Sequence, residues 1–223
     1  MATDLTVFLK QNVEGYLLED IAKMKSIRPD AGKVAGGVGY PLVMTVLSGI
    51  ELFGALLSTT PFKAWRMGET YFVDYWGHHL YVGTAAGAVG AYFYQLVRHG
   101  LAHAFMTKGA AISVGKGLGT HLSVTSDGGL YVDAEQFAVD FETSYWRDLK
   151  PLTQRIEGSG PNVRTITDRL NEMLNEYEIQ AQSLASVFAA LPRFESRASV
   201  GRAGAVNTAC SLTTPVGVDL LEI

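Results

Sequence analysis

Two long stretches of this chain carry almost no charge, and they constrain what it can fold into. Residues 41–62 contain one charged residue, Glu51, and residues 76–97 contain no Asp, Glu, Lys or Arg. Each approaches the roughly 20 residues needed to span a bilayer. A charge in mid-bilayer is expensive, and Glu51 falls in mid-segment. The second stretch also holds His78, His79 and Gln95 together with Gly77, Gly83, Gly87 and Gly90. The expectation is a buried helix pair in a globular core, not a membrane hairpin.

The rest of the composition agrees with a globular chain. Of 223 residues, 48% are apolar and 18% charged, which excludes the low-hydropathy signature of disorder. That length suits one sizeable core. The formal charge of −4 gives no basic field for gripping long nucleic acid, so any nucleic-acid contact must be local. The one cysteine, Cys210, cannot form an intrachain disulfide, and no disulfide partner is expected. Asp4, Lys10, Glu14 and Glu19 interrupt the N-terminal residues, which therefore do not read as a signal peptide. The expected location is the cytoplasm.

Hydrophobic spacing predicts a mainly α protein, a helical bundle with a small β-hairpin insertion. Leu5, Phe8, Leu9, Leu17, Ile21 and Met24 predict an amphipathic helix over 3–25. Residues 29–41 read as a Gly/Pro-rich linker without the pattern of a phosphate-binding loop. Pro41 suits the first turn of a core helix over 42–58. A shorter helix is expected over 62–76. A long buried one is expected over 80–106, with Gly83, Ala86, Gly87 and Gly90 permitting close approach and Tyr92, Phe93, Tyr94, Leu96 and Val97 filling the core. Two β-prone runs around Ser126-Asp127-Gly128-Gly129 predict a hairpin over about 121–133. Asp133 is placed to cap the next helix, with Gln136 as reciprocal partner. That helix runs to about 156, and Pro151 can kink it. After Gly158-Ser159-Gly160-Pro161, a last helix over 162–191 carries Val163, Ile166, Leu170, Met173 and Tyr177 on one face. Residues 1–192 form a single helical domain on this reading, 193–223 an irregular tail, and Gly115-Lys116-Gly117-Leu118-Gly119 a flexible turn.

All five histidines fall between residues 78 and 121, and the densest chemistry is Arg98-His99-Gly100-Leu101-Ala102-His103. On a helix, His99 and His103 share a face, and Arg98 lies on the neighbouring stripe. A histidine can take and return a proton near neutral pH, a role that falls to His103. A guanidinium can clamp a phosphate and stabilise charge developing on it, a role that falls to Arg98. His99 would orient or assist. Glu51 would be costly to bury unpaired in its apolar helix, and Arg98 is its natural partner.

Arg, a polar residue, three residues and His, late in a long apolar helix, is similar to the motif of the HEPN superfamily of helical-bundle domains. The resemblance covers six residues and a general helical context. It implies metal-independent RNA cleavage by attack of the ribose 2′-hydroxyl on the adjacent phosphate, with RNA as partner, no cofactor and two protomers bringing their motifs together as a homodimer. The predicted hairpin departs from a plain bundle. Two other readings stand beside it. His99 and His103 at i and i+4 could ligate one metal ion, with His78, His79, Glu51 or Asp74 as third ligand. Alternatively, the chain is a non-catalytic helical interaction protein, with Arg98 and Glu51 a structural pair and the histidines satisfied at a helix end.

Overall fold

The computed structural model describes residues 4–28, 37–58, 60–63, 67–104, 106–107, 109–114, 120–152 and 161–188. Among the described residues, six helices build one core, with a three-stranded sheet at one side. In chain order they are α1 (residues 5–26), α2 (Gly39–Leu57), α3 (residues 68–80), α4 (residues 85–104), α5 (residues 134–152) and α6 (Pro161–Phe188). The expected fold class, mainly α with a small β insertion, is what the chain adopts.

Helix α2 is the axis of the molecule. It packs on α1, α3, α5 and α6, and also meets the end of α4 and the first strand. Leu42, Val43, Val46, Leu47, Ile50 and Phe53 are all fully buried on it. By length and hydropathy alone α2 could cross a membrane, yet just over half of its most apolar window, 56%, is buried inside the protein. The second uncharged stretch is not one helix. Residues 81–84 form a turn, with Gly83 at φ +66°, so α3 ends at residue 80 and α4 begins at 85. Gly90 then brings α4 so close to α3 that a Cβ there would lie 2.7 Å from Trp76 Cδ1.

Aromatic rings fill the space between helices. Phe53 of α2 stacks on Phe141 at 4.9 Å and on Tyr145 at 5.5 Å, both from α5, and meets Tyr75 of α3 edge-on. Trp76, Phe72 and Phe93 extend the cluster towards α4. Such contacts add roughly 0.5–1.5 kcal/mol per pair beyond the area they bury. On α4 only Phe93, Tyr94 and Val97 of the expected core residues are buried. Tyr92 and Leu96 face outwards, 68% and 40% exposed.

The predicted hairpin forms: β2 (Ser123–Val124) pairs antiparallel with β3 (Leu130–Asp133), and Gly128 takes φ +83° in the turn. A further strand, β1 (Ala110–Ser113), pairs in parallel with β3 from Ala110↔Leu130 to Ser113↔Asp133. Asp133 caps α5, its Oδ1 accepting from the Glu135 and Gln136 amides at 3.0 and 3.2 Å. Gln136 does not reciprocate; its side chain donates to Asp140. Within α5, a wide π-turn at Tyr145–Leu149 comes just before Pro151. The looser winding gives room for a proline ring that would clash with the carbonyl four residues back.

The start of α3 also differs from expectation. Phe62 and Lys63 are not helical, because side chains elsewhere take their amides: Phe62 N–H donates to Glu172 Oε1 at 2.8 Å and Lys63 N–H to Tyr71 Oη at 3.1 Å. Ile166, Leu170 and Met173 bury the inner face of α6 as its spacing predicts, whereas Tyr177 is 52% exposed. The Gly115–Gly119 turn, most of the 29–41 linker and the 193–223 tail with Cys210 lie outside the described residues.

Helices α2 and α3 approach closely at Gly54, where a Cβ would overlap the Tyr71 backbone carbonyl. Backbone cannot move aside as a side-chain tip can. Gly54→Ala is expected to destabilise the fold by about 3 kcal/mol, read as a fall in the urea midpoint; an unchanged midpoint would contradict this packing.

Candidate functional site

The five histidines, close in sequence, separate in space. His78 Nδ1 lies 2.8 Å from the Asp74 carbonyl on the outside of α3. His79 Nδ1 lies 3.5 Å from Asp148 Oδ2, and the His79 ring stacks on Tyr75. Arg147 grips both Asp148 oxygens at 2.8 Å and also donates to the His79 carbonyl. Burial pulls the His79 imidazole below its ordinary range, against the opposing influence of Asp148. The Arg147 hydrogen bonds hold Asp148 low.

His121 is the most enclosed of the five, its side chain only 9% exposed. Its Nδ1 accepts from the Asp133 amide at 3.1 Å, which fixes the tautomer: the proton sits on Nε2, aimed at Tyr81 Oη 3.0 Å away. Tyr81 in turn donates to Asp140 Oδ2 at 3.0 Å. This chain of bonds ties the sheet to α5 and to the turn before α4. Burial depresses the His121 pKa, and the nearby Asp140 and Asp133 offset this only in part.

Arg98, His99 and His103 sit at the end of α4, as the sequence predicts. A wide turn over Tyr94–Arg98 closes with the His99 amide donating to the Tyr94 carbonyl, and buried Val97 and Leu101 anchor the segment. Arg98 turns inwards to α2, where its Nε lies 3.3 Å from Glu51 Oε2; both side chains are about a quarter exposed. The anticipated Glu51–Arg98 pair is therefore present. Among the described residues, nothing accepts from the two terminal amino groups of Arg98. The guanidinium also faces the Tyr94 ring at 5.7 Å.

His99 and His103 are exposed. Their rings meet edge-on at 5.6 Å, and His99 also packs on Tyr94 at 5.1 Å. Arg98 and His103 are thus close along one helix but point to different places, one into a cleft and one to the surface. The expected third metal ligands do not converge on the histidine pair: Glu51 is engaged with Arg98, His79 with Asp148, and His78 with the Asp74 backbone. Among the described residues no three His, Cys, Asp or Glu side chains group to hold a metal ion.

The Arg98–Glu51 pair forms one side of an open cleft of about 250 Å³ between α2, α4, α6 and the segment before α3. Gly68 gives these side chains room, since a Cβ there would overlap Glu51 Oε1 and lie 2.7 Å from Tyr94 Oη. The lining also includes an aromatic wall of Phe62, Tyr71 and Tyr177. Behind that wall lies Arg169, only 4% exposed. Its Nε donates to the Ala55 carbonyl near the C-terminus of α2 at 2.8 Å, its other nitrogens reach Glu172 and Tyr71 Oη, and its guanidinium lies 5.4 and 5.6 Å from the rings of Phe62 and Tyr71. Sequence reading missed Arg169. It occupies the position before Leu170 on α6, where the i, i+3 and i, i+4 stripe gives a charged residue no reason to face inwards.

Comparison with protein-family models, with curated proteins and with solved structures finds no match for this chain.

The His121 network makes a pH prediction. Its folded-state pKa is depressed, so the unfolded chain binds the proton first as pH falls. Stability is full above the ordinary histidine range and declines as pH drops through that range towards the folded-state value. His79 contributes with the same sign. Lowering pH from about 7.5 to about 5 should reduce the urea midpoint, and His121→Gln should flatten part of that slope. A wild-type midpoint that does not fall would contradict the assignment of His121 as a neutral acceptor.

Proposed function

We propose that this chain is a HEPN-like, RNA-associated helical domain that acts as a homodimer and cleaves RNA without a metal ion. The observation that carries the reading is the Glu51–Arg98 pair. One carboxylate holds the guanidinium through Nε at the cleft, and among the described residues nothing takes the terminal amino groups, which leaves them for a phosphate. Positioning of this kind is what a phosphate clamp needs, because a pre-held donor loses little freedom on binding.

In this reading, the ribose 2′-oxygen attacks phosphorus as His103 takes its proton. The bond from phosphorus to the 5′-oxygen breaks, that oxygen receives the proton back from His103, and a 2′,3′-cyclic phosphate and a 5′-hydroxyl end result. Arg98 stabilises the charge on the non-bridging oxygens, Glu51 positions Arg98, and His99 assists beside Tyr94. Within one protomer Arg98 and His103 diverge, so the reading uses a second copy. The outer stripe of α4 suits such a seam: Tyr92 and Leu96 are exposed apolar residues in line with exposed His99 and His103.

The inward turn of Arg98 also favours a second reading, a non-catalytic interaction domain in which the pair is structural. The two separate by experiment. Wild-type protein in EDTA should cleave mixed single-stranded RNA to cyclic-phosphate ends, and His103→Ala should lose about 10²–10⁴-fold in rate while remaining folded. Absence of cleavage by folded wild-type dimer would defeat the nuclease reading and leave the interaction domain.

A further inference from the structure

We propose that the cleft between Arg98 and Tyr177 is a seat for one unpaired nucleotide, with the base against the aromatic wall and the phosphate on Arg98 and Lys63. This deepens the reading above and rests on it only in taking RNA as the source of the nucleotide.

Charge is the first support. The protein is acidic overall, with a formal charge of −4. Among the described residues that line the cleft, two cations, Arg98 and Lys63, stand with one carboxylate, Glu51. Glu51 is engaged with Arg98 Nε, while the Lys63 side chain is exposed and has no ion-pair partner among the described residues. A local anion seat on an otherwise acidic protein is the pattern expected for contact with one phosphate or two, not with a long backbone.

The aromatic wall is the second support. Tyr177 is 52% exposed, although α6 is otherwise buried along this line at Ile166, Leu170 and Met173. Its ring lies 5.9 Å from Phe62, which stacks on Tyr71 at 6.0 Å with planes only 8° apart. Arg169 backs the Phe62–Tyr71 pair and is itself fixed to Ala55, Glu172 and Tyr71. The Phe62–Tyr71 part of the wall is therefore held in place before any ligand arrives, and the half-exposed Tyr177 ring beside it offers an open face to a base.

Shape and hydrogen bonding complete the argument. A volume of about 250 Å³ is below the usual size of drug-sized pockets and suits a single base or nucleoside. A duplex presents its bases stacked and paired, and cannot deliver one into a recess unless the base is extruded. Glu51 in the cleft offers a carboxylate acceptor for an N–H on the edge of the base.

The test is binding of a short labelled 2′-O-methyl RNA, single-stranded or annealed to its complement, in EDTA. This probe lacks the attacking hydroxyl, so binding is read without cleavage. Single strand should bind and duplex should bind more weakly. Tyr177→Ala should weaken single-strand binding about ten-fold, as expected for loss of one stacked base, and Tyr177→Phe should restore it. Lys63→Ala should reduce the salt dependence by about one phosphate contact. Equal binding by folded Tyr177→Ala and wild type, equal binding of duplex and single strand, or no binding by wild type would each overturn the proposal. Binding as predicted, by a protein that cleaves no unmodified RNA, would sustain this site and defeat the nuclease reading alone. Cleavage with binding indifferent to Tyr177 would do the opposite.

Discussion

A carboxylate in the middle of an otherwise apolar, largely buried helix needs a cation, and in this protein Arg98 meets that need from α4. Glu51 lies only about a quarter exposed at the cleft, on a helix that α1, α3, α5 and α6 all pack against. The pair joins the end of α4 to α2 beside the buried anchors Val97 and Leu101, while His99 and His103 lie exposed on the same helix end. Two close backbone approaches make room for this arrangement. Gly54 lets α3 lie directly on α2, and Gly68 leaves space for the Glu51 carboxylate under Tyr94. Helix packing and site geometry are therefore one constraint, seen from the core and from the cleft.

Much of the fold was legible because local chemistry and tertiary packing agree. The run 42–58 is apolar all round and becomes the central helix. Asp133 follows a β-prone run and caps a helix, and Asp-Gly between β-prone runs makes the hairpin. The failures occur where distant partners decide. Phe62 and Lys63 leave the helical path because Glu172 and Tyr71 take their amides. Tyr92 and Leu96 read as core because nothing local distinguishes them from Phe93 and Val97, and only the placement of α4 decides which face is covered. The break at 81–84 was masked by the absence of charge, although Gly83 was its signal. The strand β1, Ala-Ala-Ile-Ser, shows no clear alternation, and it pairs in parallel with β3.

The candidate site was half legible. Burial cost alone pointed to the Glu51–Arg98 pair. The spacing of His99 and His103 placed them on one face, where their rings do meet. What sequence could not convey is direction: Arg98 points into the cleft while His103 points away. Arg169 was invisible for a related reason. Its role is to satisfy the Ala55 carbonyl near the end of α2 and to back two aromatic rings, and none of those partners is near it in sequence.

The central claim is that Glu51 and Arg98 act as a coupled pair that positions the guanidinium. A double-mutant cycle of Glu51→Gln and Arg98→Met, read by urea unfolding, measures that coupling directly. A partly buried pair predicts a favourable interaction of about 1 kcal/mol, at or above the top of the range for solvent-exposed pairs. Strictly additive effects of the two substitutions would show that the two side chains are neighbours without being partners, and would contradict the account.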